Sequence, residues 1–382
     1  MYIPGIQKYF PAALKELQGI ADGSGFSLED IVMLNARYDL GRSRDPFRAS
    51  SAAQSNGSNN GGTPAVPAAS ATPAAEEDVA NECTSAYFGP LTNEEGDTIT
   101  AQNWDMAAQL YLEDTIIYLE EHPDPTESVP SIFVLTEAGQ LGRSGMNSAG
   151  LGVTANSLVS TADYVPVPHT NVAGEFVDVE VKPLLPMSLL RRKFLECSNY
   201  AEAIQAVNNC PRHVSNNLMV STSDGWGMSL EVIPDRIYKV YGNIDDGYLI
   251  HTNHFTHVGF EARSDIRDRY PGGSSWFRRQ RYESIVRPFR NKQLTTERIL
   301  AGFKDHLAFP EGLCVHINKT PDESALRHLP GYPYKGWNTT VACIVYNLNQ
   351  QKVTVCKGPP CVGVFQEFSL KGKKTPLLTK TA

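Results

Sequence analysis

The chain has 382 residues, a formal net charge of −8, 41% hydrophobic and 20% charged residues, the balance of a soluble globular protein with ample length for one large domain or two ordinary ones. The acidic balance argues against nucleic acid or an anionic membrane as the main partner. The sequence has no apolar run of the ~18 residues that span a bilayer. Its start, "MYIPGIQKYFPAALKELQGI", lacks a basic n-region and an apolar h-region, and its end, "LLTKTA", is not a peroxisomal address, so the cytoplasm is the expected compartment.

Residues 8–22 and 26–40 carry apolar side chains at helical spacing, and Ser27 with Asp30 forms a capping box ahead of the second helix. From residue 49 to 80 the chain is Ser, Ala, Asn, Gly, Pro and Thr with no aromatic, Leu or Ile, until the acidic residues near its end. Such a segment cannot bury enough surface to offset its ordering entropy, which makes it an exposed linker. Strand-like runs begin at Thr98 with "TITAQNWDM", "TIIYLEE", "SIFVLTEAG" and "MNSAGLGVTANSL", the last reading as a hairpin around Gly150 and Gly152. A helical block covers 184–208, and strands return in "NNLMVSTSD", "MSLEVIPDRIYKVYG" and "GYLIHTNH". Helices are expected at 275–289 and 295–307, then a hairpin in "TTVACIVYNLNQQKVTVCKGP" and an edge strand in "GVFQEFSL". Runs of strands alternating with runs of helices predict an α+β layered fold rather than a doubly wound parallel sheet.

Two motifs invite functions that their details oppose. "NSAGLGVTANSL" lacks the G-x-G-x-x-G spacing and opens no helix, which argues against phosphate binding. "HTNHFTH" has metal-like composition, yet a strand through it would send His251 and His254 to opposite faces, and no carboxylate completes a set. The seven cysteines show no paired C-x-x-C spacing, so no metal site is expected and the thiols read as reduced.

Cys83 carries the sharper signal. It sits where low-complexity sequence gives way to β structure, between Glu82 and Thr84-Ser85, polar neighbours that predict a thiol to be reached rather than packed. A cysteine can work with a separate histidine as base, or as an N-terminal residue whose own α-amine is the base. The second route requires cleavage between Glu82 and Cys83, and the linker upstream supplies slack for the freed end. An α-amine with a pKa of about 7.7–8.0 suits removal of a thiol proton at neutral pH.

"ECTSAY", "QNWDM", "LTEAGQLGRSGMNSAGLGV" and "HTNH", with the helix "EDIVMLNARYDL" before them, resemble the isopenicillin N acyltransferase (acyl-coenzyme A:aminopenicillanate acyltransferase) family of N-terminal-nucleophile hydrolases. The resemblance runs in order from about residue 8 to residue 356. It implies a four-layer αββα sandwich made as one precursor: a helical α-segment (1–48), the linker (49–82) ending at the cut, and a catalytic β-segment (83–382). By the same resemblance Cys83 is the nucleophile, Asp105 lies beside its amino group, Asn253 helps form the oxyanion hole, and Asn156 is a polar substrate-site residue.

The implied reaction forms a Cys83 thioester from an amide or thioester donor, with release to an amine or to water. No cofactor is implied, although a coenzyme A thioester can serve as substrate, and the two segments are expected to stay associated. Two rivals stand beside this reading: an amidohydrolase of N-acyl amino acids or peptides without coenzyme A, and an uncleaved, inactive acyl-binding relative. Two departures from the family pattern bear on it. Glu82 stands where the penicillin enzyme has glycine before the cut. Val315 follows Cys314 where relatives carry arginine, which predicts a preference for substrates without a free carboxylate.

Overall fold

The structure is a computed structural model that describes residues 1–42, 83–171, 173–270, 273–317 and 337–370. The linker and Glu82 lie outside the described residues. Four helices open the chain: α1 (Tyr2–Tyr9), α2 (Pro11–Ser24), α3 (Leu28–Asn35) and α4 (Arg37–Arg42). The single helix expected over 8–22 is divided at Phe10, because Pro11 has no N–H to donate and instead takes the first position of a new helix, where none is needed. The capping box forms as the sequence predicts: Asp30 N donates to Ser27 Oγ at 3.1 Å and Ser27 N donates to Asp30 Oδ2 at 3.2 Å.

The next run is β1 (Cys83–Phe88), β2 (Ile99–Ala107), α5 (Gln109–Leu112), β3 (Ile116–Glu121), β4 (Ile132–Glu137), β5 (Ser144–Asn147) and β6 (Leu151–Ser157). A two-strand ribbon, β7 (His169–Thr170) and β8 (Phe176–Val177), leads to α6 (Met187–Leu195) and α7 (Tyr200–Asn209). Strands β9 (Asn216–Thr222), β10 (Gly227–Val232), β11 (Ile237–Val240) and β12 (Tyr248–His251) follow, then α8 (Val258–Glu261), α9 (Ser274–Val286) and α10 (Thr296–Phe303). The last elements are β13 (Asn338–Asn347), β14 (Lys352–Lys357) and β15 (Gln366–Ser369).

Two antiparallel sheets carry the fold: six strands in the order β12-β1-β2-β13-β14-β15, and seven in the order β11-β10-β9-β6-β5-β4-β3. Alternation along the strands gives each sheet two buried faces. Ala86 and Phe88 of β1 face Tyr282, Val286, Ile299 and Phe303 of α9 and α10. Cys83, on the other face of the same strand, joins Trp104, Phe133, Met146 and Ile344 between the sheets. The outer face of the seven-stranded sheet packs Val153, Leu218 and Val220 against Ile6, Leu17, Ile31 and Leu190. Helices, sheet, sheet, helices: the α+β layers that the sequence pattern predicts are arranged as the αββα sandwich that the resemblance implies. The outer helical layer is shared, because α1–α3 from the N-terminal segment sit in one core with α6 and α7 from the later chain.

Gly5 marks how close that docking is. A Cβ at this position would lie 1.9 Å from the Leu184 carbonyl oxygen. Glycine to alanine inside a helix ordinarily stabilises by about 1 kcal/mol, whereas forcing a methyl into a packed contact costs ~1–3 kcal/mol. Gly5→Ala is therefore expected to lower the Tm by a few degrees, and Gly19→Ala in α2, where a Cβ meets nothing within 4 Å, to leave it unchanged or raise it. Thermal denaturation of the two variants decides; a stabilised Gly5→Ala would mean that α1 does not dock as described.

Candidate active site

Cys83 is buried, at 1% exposure, which corrects the reached, exposed thiol that its polar neighbours suggest. The cause is topological. β1 is an inner strand, paired to β12 through Ser85↔His251 and to β2 through Cys83↔Trp104, so even its first residue lies between layers. The backbone N–H of Cys83 donates to Asn253 Oδ1 at 2.8 Å. Its sulfur lies 3.9 Å from the Asp105 carbonyl oxygen and 3.8 Å from a guanidinium nitrogen of Arg143. Burial pushes the thiol pKa up and the Asp105 charge adds to that, while Arg143 and Arg278 pull the other way.

Asn253 is aimed by what surrounds it. β12 ends at His251, so His254 lies in the turn beyond the strand rather than on its opposite face, a correction to the strand expected through "HTNH". Asn253 N donates to Ser275 Oγ at 2.8 Å, and Asn253 Nδ2 donates to the Ser157 carbonyl at 3.0 Å. Glu231 secures the same turn from within the core. Its Oε1 is 2.9 Å from His251 Nε2 and accepts from Thr256 N and Oγ1 at 2.7 Å each. Burial alone would raise the Glu231 pKa, but the His251 and Thr256 hydrogen bonds outweigh it and hold the carboxyl below its usual value. The three imidazoles are thereby committed to the protein: His251 to Glu231, His254 to Ser275 Oγ at 2.7 Å, and His257 Nδ1 to the N–H of Gly259 at 2.9 Å.

Arg278, on α9, is the residue that sequence reasoning missed and on which the arrangement turns. It is fully buried. Its Nη1 donates to the Cys83 carbonyl at 2.7 Å and to Thr84 Oγ1 at 2.9 Å, and its Nη2 donates to Asn253 Oδ1 at 2.9 Å. One guanidinium thus grips the cysteine's backbone on one side and the asparagine amide on the other. Arg143, the other residue missed, stands in the turn between β4 and β5, with its guanidinium 3.7 Å from the centre of the Trp104 ring. Burial pulls its pKa down, and the neighbouring Cys83 sulfur offsets part of that loss.

Asp105 is on β2 and is buried; Thr340 Oγ1 donates to its Oδ1 at 2.5 Å. Asn156, on β6, donates from Nδ2 to the His251 carbonyl at 3.2 Å and accepts from Asn217 Nδ2 at 3.2 Å. A small cleft reaches Cys83, lined among others by Asn156, Ser157, Arg143, Arg191 and, from the N-terminal segment, Tyr38. The four residues singled out from sequence therefore converge: Cys83 and Asn253 in direct contact, Asp105 against the sulfur through its backbone, Asn156 on the cleft wall. Val315 does not join them. It is 3% exposed, with its N–H donating to Thr340 Oγ1 at 2.9 Å, and it is not among the cleft-lining residues. Two arginines do line the cleft, so the preference for carboxylate-free substrates drawn from Val315 loses its structural ground.

The αββα sandwich is the fold of the N-terminal-nucleophile hydrolases, and Cys83 heads one of its inner strands with its nitrogen held by a side-chain amide. The family model described as acyl-coenzyme A:6-aminopenicillanic acid acyl-transferase matches residues 92–361, a span that takes in Asp105, Asn156 and Asn253 and begins after Cys83. The chain belongs to this acyltransferase family, and it is an enzyme of acyl transfer or amide hydrolysis. A curated relative, the acyl-coenzyme A:6-aminopenicillanic-acid-acyltransferase 40 kDa form of Emericella nidulans, is 23% identical over 314 residues, 81% of this chain and 68% of the relative. Among solved structures, a mutant conjugated bile acid hydrolase from Clostridium perfringens is 13% identical and covers 77% of this chain and 98% of its own, at a TM-score of 0.45. An N-acylethanolamine-hydrolyzing acid amidase ortholog from Caenorhabditis elegans is 15% identical and covers 70% and 93%, at a TM-score of 0.42. Among the described residues no helix is long and apolar enough to cross a membrane.

Arg278→Met is expected to cost several kcal/mol of stability. It takes the Arg278 donor from the Cys83 carbonyl and Thr84 Oγ1 and one of two donors from Asn253 Oδ1, and each buried acceptor left unpaired costs about 1–3 kcal/mol. Arg278→Lys, which keeps a charge and loses the fork, is expected to fall between the two. Urea unfolding measures both; an Arg278→Met protein as stable as wild type would show that the three-way grip is absent.

Proposed function

We propose that Cys83 is the nucleophile of a self-processed acyltransferase or amidohydrolase, and that the bond between Glu82 and Cys83 is cut to create its base. The observation that carries this is the hydrogen bond from Cys83 N to Asn253 Oδ1 at 2.8 Å, buttressed by Arg278. Holding the backbone nitrogen of a cysteine on a dedicated amide has little use unless that nitrogen takes part in the chemistry.

In the uncut chain the nitrogen is an amide with no basic lone pair, and burial keeps the thiol protonated. Processing proceeds by attack of Cys83 Sγ on the carbonyl of residue 82. The C–N bond breaks, the thiol proton passes to the leaving nitrogen, and water hydrolyses the resulting thioester to leave a carboxylate on Glu82. The freed α-amine stays at Asn253 Oδ1 and now accepts the thiol proton. Arg143, 3.8 Å from the sulfur, favours the thiolate. The thiolate then attacks the acyl carbonyl of a substrate, the protonated amine returns its proton to the leaving group, and a Cys83 thioester remains for water or an amine.

Asn253 is the side-chain donor to the oxyanion, through the Nδ2 that the Ser157 carbonyl orients. Asp105, fixed by Thr340, sets the orientation and charge around the amine. Asn156 braces the cleft wall where the acyl group enters. The donor is an amide or a thioester such as that of coenzyme A, and no cofactor is required. The shared core of α1–α3 with α6 and α7 supports a processed enzyme whose two segments stay together.

Intact-mass analysis of purified protein tests the processing: wild type is expected as two fragments that meet at 82/83, and Cys83→Ala as a single chain. Cys83→Ser is expected to cut slowly, a hydroxyl being the poorer nucleophile. A wild-type chain that stays whole, or is cut elsewhere, defeats the proposal. For the chemistry, Asn253→Ala is expected to lower turnover by ~10²–10³-fold, as loss of one oxyanion donor does. Near-normal turnover in a folded Asn253→Ala protein would make that residue structural.

A further inference from the structure

The loop after α10 and the turn after β14 bring together four side chains that the reaction does not use: His306, Cys314, His316 and Cys361, whose ligand atoms all lie within 4.8 Å of one another. We propose that these four residues form a structural zinc site of the Cys₂His₂ type.

The distances fit one ion at the centre. Zn–S bonds of about 2.3 Å and Zn–N bonds of about 2.0–2.1 Å in a tetrahedron require edges of about 3.8 Å for S–S, about 3.5 Å for S–N and about 3.3 Å for N–N. Four of the six edges come close to these values, at 3.6 Å between the two sulfurs, 3.1 Å between His306 Nε2 and His316 Nε2, and 3.4 and 3.2 Å from His316 Nε2 to Cys314 Sγ and Cys361 Sγ, and the two from His306 to the sulfurs lie within 4.8 Å. Hydrogen bonding does not account for this convergence. A ring nitrogen has either one N–H or one lone pair in the plane, yet His316 Nε2 faces three heavy atoms at contact distance. A lone pair aimed at a shared cation satisfies all of them at once. The sulfurs, at 3.6 Å, are too far apart for a disulfide, whose bond is about 2.05 Å, and all seven cysteines are free thiols.

The backbone is shaped to hold the four in place. Cys314 N donates to the Asp305 carbonyl at 3.1 Å and His316 N to the Pro310 carbonyl at 3.0 Å, folding the loop back on His306. Gly312 permits the fold: a Cβ there would come within 2.5 Å of the Leu307 carbonyl oxygen. Asp305 is itself fixed by Arg281, at 3.0 and 2.5 Å. Cys361 comes from a separate turn, closed by Gly363 N on the Pro359 carbonyl at 2.8 Å, so an ion here cross-links two segments 47 residues apart. Four protein ligands leave no open position, which makes the site structural rather than catalytic. Its reach toward the active site is short. Val315, between two ligands, donates to Thr340 Oγ1, which donates to Asp105 Oδ1.

The test is metal content of the untagged full-length chain, supplied with Zn²⁺ and then desalted. About one zinc per chain is expected in wild type and in Cys343→Ser, and less than a tenth of that in Cys314→Ser/Cys361→Ser. Exchange with Co²⁺ should give the visible absorption of a tetrahedral thiolate site, and a chelator should lower the Tm of the wild type by several degrees. Cys314 is buried, so the double variant can fail to fold; His306→Ala, which removes the exposed ligand, then serves in its place and should weaken zinc binding at least tenfold. Wild-type protein that takes up no Zn²⁺, zinc retained in the double variant, or a Cys314–Cys361 disulfide in its peptide map would each overturn the proposal.

Discussion

The hydrogen bond between the Cys83 nitrogen and Asn253 Oδ1 sets the constraint that the rest of the molecule obeys. It joins the head of β1 to the turn that leaves β12, so those strands must be neighbours in one register, as the pairing Ser85↔His251 makes them. The turn must then be rigid. Glu231 fixes it from the facing sheet and Ser275 from α9, while Arg278 ties both ends of the bond together from a buried position. A fully buried guanidinium is costly to desolvate unless its N–H groups are used, and this one donates to Thr84 and Ser274 as well as to Cys83 and Asn253, the two partners of the proposed chemistry. Stability and preorganisation are here the same set of contacts.

The N-terminal segment belongs to this machinery rather than merely preceding it. Tyr38 donates to the Ser215 carbonyl at 2.7 Å and lines the cleft, Arg42 meets Ser157 Oγ, and Arg37 pairs with Glu137. Asp39 accepts from the N–H of Met187 at 3.1 Å, binding α4 to the start of α6. Ser157 in turn orients Asn253 through its carbonyl. The proposed cut at residue 82 would therefore leave a fragment whose side chains still shape the access to the thiol.

Much of the layer order was legible in the sequence because the periods are strong: most strands from Thr98 onward, the capping box at Ser27 and the terminal hairpin lie where the pattern puts them, while β12 stops at His251, short of the strand expected through "HTNH". The resemblance drawn on "NWD" and "HTNH" points to Asp105 and Asn253, and both lie against Cys83. What the sequence concealed are contacts made across layers. Arg278 lies in an arginine-rich stretch, "SSWFRRQRYES", where nothing in the composition says which arginine turns inward. Arg143 sits inside "LTEAGQLGRSGMNSAGLGV", a stretch that carries the resemblance without marking its arginine. The exposure of Cys83 was misjudged because flanking polarity says little about an inner strand whose polar side chains pair across the sheets, as Ser85 does with Thr154. The Cys₂His₂ cluster escaped for a related reason: its ligands are scattered from 306 to 361 without a paired spacing, and only the meeting of a loop with a distant turn brings them together.

The account stands on Cys83 acting as an N-terminal residue, and the covalent intermediate reports on that directly. The protein is incubated with an activated acyl thioester, quenched during turnover, digested and mapped by mass spectrometry. The account predicts a peptide that begins at Cys83 and carries the acyl mass on its sulfur, absent from Asn253→Ala or present there at much lower occupancy. An acyl group found on another residue, or on a peptide that still spans residues 82 and 83, would contradict it.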